Sequence, residues 1–241
     1  MKYDIDDKAR LVLKHIVYIA ERTAKQIQFC FTKGKKQYYI SPKRDIFLTF
    51  NLQSPIDFDY PIPDLNHFLS SNIKTIDSQK LITNKDNLFL PTDDDIKEFE
   101  SGKLIDIVDF PLKDVQLLNS SKTNKFEFIN FISIDKKLHY LFQNHIWDWW
   151  RDEDNKLIVK RGETTHKFRF IVNRKLITKL LTNDYKLMFK RGVIHFQYKH
   201  LNYYFKPENE FHKQAVKNFY TLSDKVTDKH LIQRYKKLNL I

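Results

Sequence analysis

The sequence predicts an α+β chain of two similar halves, each combining antiparallel strands with two helices. Three observations predict it. Apolar residues near the N-terminus recur at helical spacing, and most of the remaining chain alternates in short strand-like runs. The order helix, strands, short helix, strands also occurs twice, at an offset of roughly 110 to 130 residues, as an internal duplication would give.

The first helix is expected from Asp6 to Arg22, where Ala9, Val12, Leu13, Ile16, Val17 and Ala20 make one apolar stripe. Asp6 and Asp7 sit in its first turn, where negative charge suits the helix dipole. Lys8, Lys14, Tyr18 and Arg22 mark its outer face. Strands are expected at Gln26–Phe31, Gln37–Ile40, Ile46–Leu52 and Ile56–Tyr60, with a hairpin turn at Lys33-Gly34-Lys35. A short helix follows from Asp64 to Asn72, burying Leu65, Phe68 and Leu69 and exposing His67, Ser70 and Lys74. Lys80–Thr83 and Asn87–Leu90 read as strands, and the acidic stretch Pro91–Gly102 as a surface loop in which Asp93-Asp94-Asp95 is solvated or starts a helix.

In the second half an extended segment, Lys103–Leu112, leads to strands at Val115–Leu118 and Phe126–Ile132. A helix is expected from Asp135 to Asn144, with Leu138, Leu141 and Phe142 inward and Lys136, Tyr140 and Gln143 outward. A hairpin, Ile146–Trp150 and Lys156–Arg161, precedes a strand at His166–Val172 and a helix at Asn173–Thr182 that exposes Lys175, Thr178 and Lys179. Strands Tyr185–Lys190, Val193–Tyr198 and Leu201–Phe205 close the half, and residues 206–241 read as a helical extension. The domain boundaries implied are 1–103, a linker 104–112, 113–205 and the extension 206–241.

Composition narrows the function. The 20 Phe and 12 Tyr among 241 residues supply a core, which argues against disorder. Only 4 Gly are present, too few for a glycine-rich phosphate cradle. The single cysteine, Cys30, excludes an internal disulfide and a cysteine cluster for zinc, and its apolar neighbours make it a core residue. No apolar run approaches the roughly 20 residues of a membrane span. The N-terminus lacks the apolar stretch of a secretion signal, so the expectation is a soluble protein in a reducing compartment. The net charge of +12, from 42 Lys and Arg against 30 Asp and Glu, favours a polyanionic partner.

Catalytic groups do not converge. The nearest candidate is Asp148 to Lys156, whose Asp152, Glu153 and Asp154 could hold magnesium for a nuclease, yet an acidic hairpin turn explains them as well. The nine His are dispersed, with His67 and His145 isolated. No cofactor is expected. Basic residues recur instead on the outer faces of all four expected helices, suited to phosphate contacts without base reading.

Three stretches resemble the sliding clamps of T4-like phages. They are Ile56-Asp-Phe-Asp-Tyr-Pro-Ile-Pro-Asp-Leu-Asn-His-Phe-Leu69, Leu88-Phe-Leu-Pro91, and Phe168-Arg-Phe-Ile-Val-Asn173 followed by Asn183-Asp-Tyr-Lys-Leu187. Phe110-Pro111 sits where the family's linker ends. The resemblance implies a DNA clamp fold: two similar domains with outer sheets and two inner helices each, closing into a homotrimeric ring. It implies a non-enzymatic processivity factor for DNA replication, in the cytoplasm of an infected bacterial host. Its partners would be double-stranded DNA, a DNA polymerase, a clamp loader and two further copies of itself. The DNA-facing residues would be Lys8, Lys14, Arg22, His67, Lys74, Lys136, Gln143, Lys175 and Lys179. By position, Val108, Phe110, Leu112, Tyr203 and Phe205 would line an outer groove for partner peptides. The basic balance and the extension beyond residue 205 depart from the family, and they leave a basic, non-ring DNA-binding accessory protein as the alternative, ahead of a nuclease.

Overall fold

The protein is described here by a computed structural model covering residues 1–20, 26–80, 88–134, 136–144 and 157–212. The chain divides into two compact units. Unit 1 takes Met1–Gly102 and His195–Lys206, and unit 2 takes Lys103–Ile194 and the residues from Pro207.

Unit 1 opens with β1 (Lys2–Asp4) and α1 (Asp7–Ala20). The Asp6 carboxylate accepts the Ala9 amide at 2.7 Å, the geometry of an N-cap, and so fixes where α1 begins. Ala9, Leu13, Ile16, Val17 and Ala20 are buried as their spacing requires. Next come β2 (Phe29–Phe31), β3 (Gly34–Ile40), β4 (Ile46–Ile56), β5 (Tyr60–Ile62), α2 (Leu65–Ser70) and β6 (Thr75–Asp77). β2 pairs with β5 and β1 with β6, both antiparallel. β4 is held on both sides, by β3 and by a late strand, β14 (Leu201–Phe205), which sets Asn202 opposite Thr49. Of the strands expected at Lys80–Thr83 and Asn87–Leu90, Lys80 ends a short 3-10 turn and Leu88–Leu90 form no strand, while residues 81–87 lie outside the described residues.

The acidic stretch expected as a loop contains a helix, α3 (Asp93–Glu100). The Thr92 side chain accepts the Asp95 amide while the Asp95 carboxylate accepts the Thr92 amide, a reciprocal capping box. Asp93 and Asp94 then face the positive end of the helix, so the acids favour helix over loop.

Unit 2 holds β7 (Leu104–Phe110), α4 (Leu112–Leu118), β8 (Phe128–Ile134), β9 (Lys137–Gln143), β10 (Leu157–Glu163), β11 (Phe168–Asn173), α5 (Arg174–Ile177) and β12 (Tyr185–Lys190). β13 (Val193–Tyr198) begins here after a tight turn at Gly192, whose φ of 77° suits glycine. β7 pairs with β12, and a five-stranded antiparallel sheet runs β10-β9-β8-β11-β15, with β15 (Asn209–His212) on β11. One face of that sheet is aromatic: Phe131, Tyr140, Phe168 and Phe170 meet Phe110 of β7 and Phe189 of β12, with Phe168 and Phe189 4.3 Å apart.

Three expectations are corrected in unit 2. The helix expected over Asp135–Asn144 is strand β9, entered through Lys136 at φ 59°. Leu138, Leu141 and Phe142 fit a helical stripe, but Leu138, Tyr140 and Phe142 also alternate, and all three are fully buried on one face. The strand expected at Val115–Leu118 belongs to α4, which starts directly after Pro111. The extension begins as strand β15, not as a helix, and its residues 213–241 lie outside the described residues. So do Ile146–Trp150, His145 and the acids Asp152, Glu153 and Asp154.

Among the described residues Asp114 on α4 is the deepest charge of unit 2. Its buried carboxylate accepts from Arg161 Nε at 2.6 Å and from the Tyr140 hydroxyl at 2.9 Å. Burial, followed by the neighbouring Asp114 charge, pushes the Tyr140 hydroxyl well above the usual tyrosine range, so it remains a donor. Removing one partner strands the other in the core. Asp114→Ala is expected to cost about 3 kcal/mol and Tyr140→Phe about 1 kcal/mol. Urea denaturation with tryptophan fluorescence would check both, and equal midpoints for the two variants would contradict this account.

Candidate nucleic-acid interface

Each unit carries a pair of helices fastened by one arginine. In unit 1 the α1 residue Arg10 donates from Nη1 to the Ile73 carbonyl and from Nη2 to Asn72 Oδ1 at 3.1 Å, so α1 grips the loop that ends α2. Asp64 caps α2 by accepting the His67 amide at 3.2 Å. In unit 2 the buried Arg174 of α5 donates to the carbonyls of Phe126 and Leu118, both at 2.8 Å, and of Asn124 at 3.1 Å. It thereby grips the loop that follows α4. Burial lowers its pKa from the ordinary arginine value, and the three carbonyls supply the compensating acceptors.

The sequence-expected DNA-facing residues divide accordingly. Lys8 and Lys14 are exposed on α1, His67 on α2, and Lys74 just beyond α2. Unit 1 therefore brings four of them to its helix pair. The exposed stripe of α1 is mixed, since Asp7, Leu11 and Tyr18 share it with Lys14. In unit 2 Lys175 is exposed on α5. Lys136 is exposed too, but in the β8–β9 turn instead of on a helix. Gln143 and Lys179 are buried, at 2% and 7% exposure, and neither can meet DNA from that position. Both faces of β9 are covered, which buries Gln143, and α5 ends before Lys179. Arg22 lies outside the described residues.

Sequence reasoning missed α4 and its surroundings. Lys113 is exposed on α4, and Lys122 and Lys125 are exposed in the loop that Arg174 holds. The signal was available: Pro at a helix start followed by apolar Leu112, Val115 and Leu118 at i, i+3, i+6. Among the described residues no group of His, Cys, Asp and Glu forms a metal-holding cluster, and no helix is long and apolar enough to cross a membrane.

The expected peptide groove does not survive as drawn. Phe110, Tyr203 and Phe205 are buried at 0–1% exposure, Val108 is nearly so, and Leu112 is half-buried. Val108, Phe110 and Leu112 belong to unit 2, and Tyr203 and Phe205 to unit 1. Unit 2 has a separate open cleft of about 570 Å³ along β7 and β10, lined by Ile107, Val108, Pro111, Arg161 and Lys186 among others.

No protein-family model and no curated protein sequence matches the chain. Solved structures do. A chain of the PCNA2–PCNA3 complex from Sulfolobus tokodaii aligns with a TM-score of 0.58 at 10% identity, over 86% of this chain and 99% of the other. PCNA from Thermococcus kodakaraensis gives 0.53 at 10% identity, with the same coverage. The polymerase III beta chain of Caulobacter crescentus gives 0.61 at 11% identity, over 90% of this chain and 68% of the other.

The two arginine ties predict a local stability effect. Arg174→Met leaves three buried carbonyls without their donor and is expected to cost about 3 kcal/mol. Arg174→Lys, which restores one donor group, should recover part of the loss in a urea titration. No loss with Met would sink the assignment. At these identities the likeness establishes the fold, and the fold is that of PCNA and the bacterial beta sliding clamps.

Proposed function

We propose that this chain is a DNA sliding clamp of the T4-like phage type, a non-catalytic ring of three copies that encircles duplex DNA and tethers a replicative polymerase. The observation that carries the reading is the repeated helix pair. In each unit an arginine fixes two helices together with exposed lysines beside them, within a fold shared over most of the chain with PCNA and beta clamps. Lysines without a base-reading element suit mobile contacts to phosphates. Solved relatives include a beta clamp from Helicobacter pylori bound to a DNA ligase peptide, aligned at 12% identity over 86% of this chain and 65% of the other. That supports a second class of partner, peptide segments of replication enzymes.

The ring reading assigns the two clamp domains to 1–103 and 113–205, and it needs strand edges able to pair between copies. Among the described residues β10 has one partner strand, β9, and the ring reading assigns its other edge to a second copy. A clamp loader that opens the ring and a location in the cytoplasm of an infected bacterium belong to the same reading. The charge of +12 per chain makes DNA attraction strong and salt-dependent.

The DNA-facing set that the structure supports is Lys8, Lys14, His67 and Lys74 in unit 1 with Lys113, Lys122, Lys125 and Lys175 in unit 2. Replacing Lys14, Lys122 and Lys175 by Glu should weaken duplex binding and flatten the plot of log affinity against log salt by about 2–3 units. Lys186→Glu, where Lys186 pairs with Asp109 at 2.5 Å, serves as the control and should leave that slope unchanged. Equal slopes for the triple variant and the unsubstituted protein would remove the helix faces from the interface.

A further inference from the structure

Both faces of the five-stranded sheet in unit 2 are buried, and β7, β12 and α4 pack on one of them. Phe131, Tyr140 and Phe170 point to that aromatic face, where Phe110, Phe189 and Asp114 meet them. Side chains alternate along a strand, so their neighbours point the other way. Register puts Asn130 at the centre of this second face, between Leu141 of β9 and Ile171 of β11. Phe128 and Ile132 flank it along β8, and Gln143 is on the same side. Exposure of these six residues is 0–9%. An antiparallel sheet with one face in water alternates buried with exposed residues, and β8, β9 and β11 do not.

Asn130 marks the kind of layer that covers this face. Its side chain is wholly buried, and neither its amide nitrogen nor its amide oxygen meets a hydrogen-bond partner. The groups above it are therefore apolar at that point, and burial of the amide opposes their seating. The chain supplies such a layer. β15 ends at His212, paired with Phe168 on the edge of this same sheet, and 29 residues follow. Val216, Phe219 and Tyr220, and again Leu231, Tyr235 and Leu238, recur at helical spacing in a stretch with seven Lys and Arg against two Asp. Even a wholly helical segment of that length reaches about 43 Å, while five strands span about 19 Å. Residues 145–156 join β9 to β10 at the opposite edge and are the rival cover.

We propose that the second face of this sheet is the seat of the chain's own C-terminal segment, residues 213–241, and that the segment leaves it reversibly. Its apolar stripe lies over Asn130, Leu141 and Ile171, and its cations face solvent on the side of the sheet opposite α4. Asn130 sets the strength of the seat. While the segment is seated the amide is dry. When the segment lifts, water reaches the amide and offsets part of the apolar burial that is lost. A leucine at position 130 would hold the segment without that offset. Release bares an apolar sheet face and frees a basic arm in one step. The proposal requires neither a ring nor DNA.

Paired cysteines in the full chain test the seat. Leu141→Cys is combined in turn with Val216→Cys, with Phe219→Cys and, for the rival, with Trp149→Cys. Mild oxidation is followed by intact mass and peptide mapping, which separates new crosslinks from the buried Cys30. A crosslink within one chain is expected from position 216 or 219. It should form about tenfold faster than one between Phe219→Cys and Lys186→Cys, an exposed position on β12. The second measurement leaves Leu141 and the segment intact. Trypsin cleavage at Lys217, Lys225 and Lys229 follows the open fraction, and Asn130→Leu should slow it by about tenfold. Crosslinks formed only between chains would assign the face to a second copy, and faster crosslinking from position 149 would assign it to residues 145–156. Either result, no crosslink at all, or cleavage unchanged in Asn130→Leu, overturns the proposal.

Discussion

Unit 1 depends on the pairing of β4 with β14. Tyr203 and Tyr204 sit opposite Leu48 and Phe47, and the Asn202 amide reaches the Thr49 hydroxyl across 153 residues of sequence. Phe47 at 0% exposure and Tyr204 at 5% acquire their surroundings from this register. The edge-on contact of His15 with Tyr203, with centroids 5.5 Å apart, ties α1 to the same strand. A sheet closed by so distant a strand carries a large loop-closure cost in folding, and unit 1 cannot be completed until β14 is in place. The seat of α3 follows from the same pairing, because Phe99 packs against both Phe47 and Tyr204.

The last three strands were legible to the residue. Tyr185–Lys190, Val193–Tyr198 and Leu201–Phe205 alternate strongly and are punctuated by Arg191-Gly192 and by Lys199-His200, where Lys199 adopts φ 51°. α1 was legible because fourteen residues at one period leave no rival reading. β9 was not, since Leu-His-Tyr-Leu-Phe satisfies both periods over a short run, and only the pairing with β8 decides between them. α4 and α3 were lost to local chemistry: the first to a β-branched Val115 just ahead of Leu117-Leu118, the second to a run of acids that reads as loop until Thr92 and Asp95 are recognised as a capping box.

The exposed helix lysines were legible in outline. Lysines on α1 and α5 stood where helical spacing put them, while Gln143 and Lys179 were displaced by errors in the elements that bear them. The groove residues on β14 show the sharper lesson. Tyr203 and Phe205 were chosen, yet side chains alternate along a strand, and the intervening Tyr204 is the one that meets α3. An error of one residue in a strand moves the inference to the opposite face. Arg10 and Arg174 could not be read at all from spacing, since each acts on carbonyls of a loop distant in sequence.

The proposed ring is the point on which the account turns. Light scattering on a size-exclusion column measures it directly. The account predicts a discrete species at three times the 29.2 kDa of one chain, persisting on dilution and at raised salt. A mass of one chain at every concentration would contradict the ring and leave a basic, clamp-folded DNA-binding accessory protein in its place.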